Sequence, residues 1–128
     1  MTRVLIVDDE PDLLLLMRFH LEQVGIETEL AADGDAALQL MGGRRFDLVV
    51  LDVWMPVLDG WGVLDGLNGM PDPPPVIVVS ANLRGLDGHR ASSLGAVECV
   101  QKPFEMEYLI RRVVSVSGHR QLRHRVPQ

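Results

Sequence analysis

Cysteine is nearly missing from this chain. Cys99 stands alone among 128 residues, which excludes an intrachain disulfide and a cysteine-built zinc cluster and fits a reducing compartment. Long apolar runs are missing too. Nothing approaches the ~18 consecutive apolar residues of a membrane helix, and Met1-Thr2-Arg3 leads directly into a strand-like run with no signal-peptide pattern. Both absences predict a cytoplasmic protein. Basic charge is scarce: 12 Lys and Arg against 18 Asp and Glu leave a formal net charge of −6, which argues against general nucleic-acid affinity. The exception is 119–128, where Arg120, Arg123 and Arg125 stand with His119 and His124 and no acid. A dinucleotide fingerprint is also missing, because Gly60-Trp61-Gly62 lacks the required glycine spacing and does not directly follow a strand.

What is present is the composition of one ordinary globular domain, 47% hydrophobic and 23% charged. Val4-Leu5-Ile6-Val7, the alternating 27–31, Leu48-Val49-Val50-Leu51, Val76-Ile77-Val78-Val79 and the weaker 97–100 read as strands. Helices are expected over 11–24, stopped by Gly25; over 35–41, closed by Gly42-Gly43; over 61–67; over 83–94; and from Glu105 onward, where Leu109, Val113 and Val116 keep helical spacing. The five-fold alternation predicts an α/β fold, a doubly wound parallel sheet with right-handed crossovers. In the first helix Leu13-Leu14-Leu15-Leu16-Met17 sweeps more than one full turn, so some of these side chains must be exposed or covered by a partner. The fourth helix carries Gly85, Gly88, Ser92 and Ser93 and is expected to be the least stable element.

In such a sheet, ligands bind at the carboxyl ends of the strands. Asp8-Asp9-Glu10 follows the first strand, Asp52 ends the third, Ser80 ends the fourth and Lys102 follows the fifth. Carboxylates gathered there repel one another and favour a hard divalent cation with oxygen ligands, for which Mg²⁺ is the natural choice. A lysine and a hydroxyl facing that metal complete the contacts of a phosphoryl group, and Asp52 in line is a competent nucleophile.

The segments Val7-Asp8-Asp9-Glu10, Asp52-Val53-Trp54-Met55-Pro56 with Asp59-Gly60, Val79-Ser80-Ala81, Gly95-Ala96 and Lys102-Pro103-Phe104 resemble the receiver domain of two-component response regulators (CheY-like). The resemblance extends from Val4 to about Gly118. It implies a flavodoxin-like (βα)5 domain over 1–118 with strand order 2-1-3-4-5, followed by a basic tail, 119–128, that is disordered or begins a linker. It implies a phosphorylation-dependent switch that takes its phosphoryl group from a sensor histidine kinase or phosphotransfer protein. Self-catalysed transfer and slow self-dephosphorylation are expected, not enzymatic turnover.

By the same resemblance Asp52 is the phosphoacceptor, Asp8, Asp9, Asp52 and the backbone carbonyl of Trp54 hold Mg²⁺, Ser80 is the switch hydroxyl, Lys102 pairs with the phosphoryl charge, and Lys102-Pro103 is cis. A kinase is expected to dock at the first helix, using Leu13, Leu14 and Met17. A homodimer would pair through the last two helices and the fifth strand. Membrane association and direct nucleic-acid binding by this chain are not expected. Whether the domain stands alone or 119–128 starts a linker to an effector is left open.

Two positions depart from or vary the family pattern. Cys99 occupies the place of the usual aromatic three residues before the lysine, so output is expected to pass through the segment after Ser80, with phosphorylation ordering 81–94. Trp54 places a large ring two residues after the acceptor. The alternatives are a phosphorylation-independent interaction module and a haloacid-dehalogenase-type phosphatase, which needs a second aspartate where Trp54 stands.

Overall fold

The apolar runs pair into a single parallel sheet. The computed structural model describes residues 1–55, 58–81 and 87–125, with side chains as far as Gly118. Strands β1 (Arg3–Val7), β2 (Glu27–Ala31), β3 (Leu48–Asp52), β4 (Val76–Ser80) and β5 (Glu98–Gln101) lie in the order β2-β1-β3-β4-β5, as expected. Every residue of β3 and β4 is buried, because a parallel sheet covered on both faces has no solvent side along its central strands. The edge strand β2 is only partly buried, with Thr28 and Ala31 inside and Glu27, Glu29 and Leu30 part-exposed.

Helices α1 (Pro11–Gln23), α2 (Gly34–Gly43), α3 (Gly60–Asn68), α4 (Asp87–Ser93) and α5 (Met106–Arg125) fill the crossovers. The period of two along each strand divides the core. Leu5, Val7, Val49, Leu51 and Val78 pack with Ala37, Met41, Trp61, Leu64, Leu67 and Ala91 from α2, α3 and α4. Val4, Ile6, Val50, Ile77 and Val79 pack with Leu14, Met17, Leu21, Leu109 and Val113 from α1 and α5.

Local chemistry explains where the helices begin and end. Asp33 accepts from the Ala36 N–H at 2.8 Å and Asp59 from the Gly62 N–H at 3.0 Å, so α2 and α3 each start one residue before the expected 35 and 61. Gly25, at φ +81°, follows the end of α1 in the left-handed region. The fourth helix, expected over 83–94, is described over Asp87–Ser93; Asn82, Leu83, Arg84, Gly85 and Leu86 lie outside the described residues. Helix α5 runs on past Gly118 to Arg125, so the composition shift there does not end it. One interior glycine costs only about 1 kcal/mol, less than the packing of Leu109, Val113 and Ser117 holds in place.

The leucine run of α1 is corrected by the structure. Leu14 and Met17 are buried against the sheet and Leu13 packs beside them, while Leu15, Leu16 and Phe19 are exposed. Leu14 and Met17 therefore cannot meet a partner. Among the described residues no helix is long and apolar enough to cross a membrane.

Candidate functional site

The parallel register carries the singled-out residues to one edge. Asp52 is the last residue of β3 and Ser80 of β4, paired one step apart through Asp52 and Val79. Asp8 and Asp9 follow β1, and Lys102 follows β5 with its backbone N–H on the Ser80 carbonyl at 2.9 Å. Asp8 is pinned at both ends: its N–H donates to Ala31 O at 3.1 Å, and its Oδ1 accepts from Glu10 N–H at 2.9 Å. Asp52 Oδ1 accepts from the Trp54 N–H at 3.1 Å. One oxygen from each of Asp8, Asp9 and Asp52 lies within 4.8 Å of the others.

A single ammonium serves this acidic group. Lys102 Nζ donates to Asp8 Oδ2 at 2.9 Å, Glu10 Oε1 at 3.1 Å and Asp52 Oδ2 at 3.5 Å. Burial opposes the lysine's charge, but the bond to Asp8 and the charges of Asp8 and Asp52 outweigh it and hold its pKa above the ordinary value. Asp52 fares the opposite way. Burial, the largest cause, and the charges of Asp8 and Asp9 outweigh the Trp54 N–H and Lys102, so its carboxyl is pushed up to about 6. The lysine gains from Asp8, Glu10 and Asp52, whereas each of these acids shares that one ammonium with the others. The edge thus carries uncompensated negative charge on hard oxygen donors, and that donor set suits Mg²⁺ better than a soft metal.

The Ser80 hydroxyl has a partner that the sequence did not single out. Ser80 Oγ donates to Asp87 Oδ2 at 3.0 Å, and the Trp54 indole Nε1 donates to the same oxygen at 2.9 Å. Asp87 opens α4 and is buried. It lies in a polar, glycine-interrupted stretch, where nothing in spacing or hydropathy separates it from a solvated helix start. Trp54 is half exposed and meets buried Trp61 edge-on, with ring centroids 6.4 Å apart, and the Arg90 guanidinium lies 4.3 Å from the Trp61 ring centre. The Cys99 thiol is partly buried beside the α4-side core; burial, then the charge of Asp87, pushes its pKa up. Lys102-Pro103 is cis. Pro56, Val57 and Asn82 lie outside the described residues.

Comparison with known proteins shows the family. Residues 4–114 match the family described as the response regulator receiver domain. The chain is 38% identical over 118 residues to the transcriptional regulatory protein PrrA of Mycobacterium tuberculosis, covering 92% of this chain and 51% of that protein. It is 38% identical over 113 residues to KdpE of the same species, covering 88% and 50%. It therefore spans about half the length of the curated relatives it matches. The receiver domain of the Francisella response regulator 1452 superimposes with a TM-score of 0.88 at 31% identity, over 93% of this chain and 98% of that one. TrrA of Thermotoga maritima, solved in complex with Mg²⁺ and BeF, gives 0.81 at 29% identity, over 91% and 99%. With fold, strand-end residues and relatives in agreement, the chain belongs to the response regulator receiver domain family.

Proposed function

We propose that this domain is a signalling switch that accepts a phosphoryl group on Asp52, with Lys102 and Ser80 as its charge and hydroxyl partners. The observation that carries the reading is the position of Asp52, 4% exposed at the end of a fully buried strand, with Lys102 on one oxygen and the Trp54 N–H on the other. One carboxylate oxygen attacks the phosphorus of a phosphohistidine, the P–N bond breaks, and the electron pair leaves with the imidazole, so an acyl phosphate replaces a phosphoramidate. Asp8, Asp9, Asp52 and the Trp54 carbonyl would hold Mg²⁺, which neutralises the oxygens of the transferring group. Lys102 places its ammonium where the new charge arrives, and Ser80 offers a hydrogen bond to it.

The test is to incubate the chain with acetyl phosphate, with and without Mg²⁺, and measure intact mass. A Mg²⁺-dependent gain of one phosphoryl group that is labile to hydroxylamine is expected. No gain in the wild-type chain would overturn the reading.

Two further outcomes are expected. Trp54 flanks the acceptor with its ring held by Asp87 and Trp61, a position suited to limiting in-line approach of water. Trp54→Ala should shorten the acyl phosphate lifetime several-fold in a mass-spectrometric decay series; an unchanged or longer lifetime would remove this role. The docking surface for a phosphohistidine donor is proposed on α1, at the exposed Leu15, Leu16 and Phe19. Phe19→Ala should keep stability within about 0.5 kcal/mol and leave uptake from acetyl phosphate unchanged, while slowing transfer from a phosphorylated kinase domain. Equal transfer rates would place docking elsewhere.

Pairing of two copies through α4, β5 and α5 is proposed at the face that exposes Val97 and Val114. The relatives named as transcriptional regulators support a transcriptional output for the protein that carries this domain. The net charge of −6 argues against non-specific nucleic-acid binding by this chain.

A further inference from the structure

We infer that Asp87 is a positioning residue that engages the Ser80 hydroxyl in competition with Asp52, so that activation must break the Ser80–Asp87 bond and is thereby felt at α4. The inference rests on the proposed phosphorylation of Asp52 and concerns what opposes it.

The hydrogen bonds make a continuous route. Asp52 Oδ1 accepts from the Trp54 N–H, Trp54 Nε1 donates to Asp87 Oδ2, and Ser80 Oγ donates to that same oxygen. A hydroxyl has one proton to donate. While Ser80 gives it to Asp87, it cannot give it to an oxygen on Asp52, so the two bonds exclude each other. A bond from a hydroxyl to a carboxylate is one of the stronger kinds, and a buried carboxylate stripped of a donor loses more than a surface one. Asp87 is only 9% exposed. Departure of Ser80 therefore leaves the buried Asp87 carboxylate with one donor fewer, Trp54 Nε1 remaining on Oδ2, a loss relieved by moving the helix that carries Asp87 or by admitting water.

Over its described residues, Asp87–Ser93, that helix puts Ala91 in the core and Arg90 over Trp61. Among these described attachments, Asp87 is the one that touches both Ser80 and the Trp54 ring. This supplies a coupling where the family's swinging aromatic is replaced by Cys99. Movement of Ser80 is felt by α4 through a shared carboxylate, with no second rotamer required.

The experiment is a titration of the full chain with beryllofluoride at fixed Mg²⁺, followed by fluorine NMR of the bound species, in wild type, Asp87→Ala, Asp87→Asn, Ser80→Ala, Asp87→Ala/Ser80→Ala and Asp52→Asn. Asp87→Ala should lower the half-saturating concentration about tenfold (about 1.4 kcal/mol). Asp87→Asn, neutral and of the same shape, should lower it about threefold, and it carries the test if the alanine variant does not fold. In the Ser80→Ala background the Asp87 substitution should have no effect, a result that general loosening of the fold would not produce. Half-saturation that is unchanged or raised in the Asp87 variants, or lowered equally without Ser80, overturns the inference. Absence of Mg²⁺-dependent binding in wild type, or equal binding by Asp52→Asn, would instead overturn the phosphorylation reading itself.

Discussion

Asp52→Asn is expected to abolish phosphoryl uptake and, in the metal-free domain, to raise stability by about 1–3 kcal/mol at pH 7. The sign follows from the acceptor's own carboxyl. Its pKa is pushed from 3.8 to about 6 by burial and by the charges of Asp8 and Asp9, so the folded state keeps its proton where the unfolded chain has lost it. Below about pH 4 both states are protonated and the cost is absent. As pH rises from about 4 to 6 the unfolded state is favoured, and above 6 the full cost applies. Two pKa units set the upper bound near 3 kcal/mol, and loss of the contact to Lys102 Nζ subtracts from it.

Asparagine keeps an oxygen for the Trp54 N–H and removes the charge. Urea unfolding of both chains in EDTA from pH 4 to 7.5 measures the difference, which should grow with pH and level off. A variant no more stable than wild type at pH 7, or a difference independent of pH, would falsify the electrostatic account. Saturating Mg²⁺ should offset most or all of the difference, since a ligand at 100 times its Kd adds about 2.7 kcal/mol to the chain that retains the Asp52 carboxylate.

Gly60→Ala is expected to cost about 3 kcal/mol or more and, in whatever fraction folds, to lower phosphoryl uptake at least tenfold. A methyl carbon at Gly60 would stand 2.4 Å from Val53 Cα and 2.5 Å from the Asp52 carbonyl oxygen. Neither neighbour is a flexible side-chain tip. Both belong to the backbone that carries Asp52, and the Gly60 N–H donates to Val53 O at 2.9 Å, so α3 is pressed directly onto the end of β3. Relief requires moving the helix or the acceptor, and a shift of about 1 Å in a reacting group is enough to lose orders of magnitude in rate. Gly42→Ala is the control: nothing lies within 4 Å of its added carbon, and alanine in that helix should add up to about 1 kcal/mol. Thermal unfolding of the two variants side by side would decide it, and a Gly60→Ala chain within 1 kcal/mol of wild type would show the contact to be soft.

The two glycines look alike in sequence, each beside a turn signal, and only the structure separates them. The α1 leucines make the same point. That Leu13 to Met17 could not all face the sheet followed from helix geometry, but which of them turned outward depended on how α1 rolls against β1 and β2. Leu14 and Met17 went inward and Leu15, Leu16 and Phe19 outward.

The strands, their order of use and the gathering of Asp8, Asp9, Asp52, Ser80 and Lys102 at one edge were legible without coordinates, because parallel strands buried on both faces leave apolar runs, and a polar residue ending such a run has one place to go. Asp87 was not legible. Its importance comes from a buried oxygen shared by Ser80, seven positions away, and by Trp54, thirty-three away, and hydrogen bonds between side chains on different elements leave no period in the chain. Sequence alone thus determined which residues reach the acceptor edge, since that is set by local pattern and topology. Tertiary packing decided what restrains them there, since that depends on distances between elements that no local pattern records.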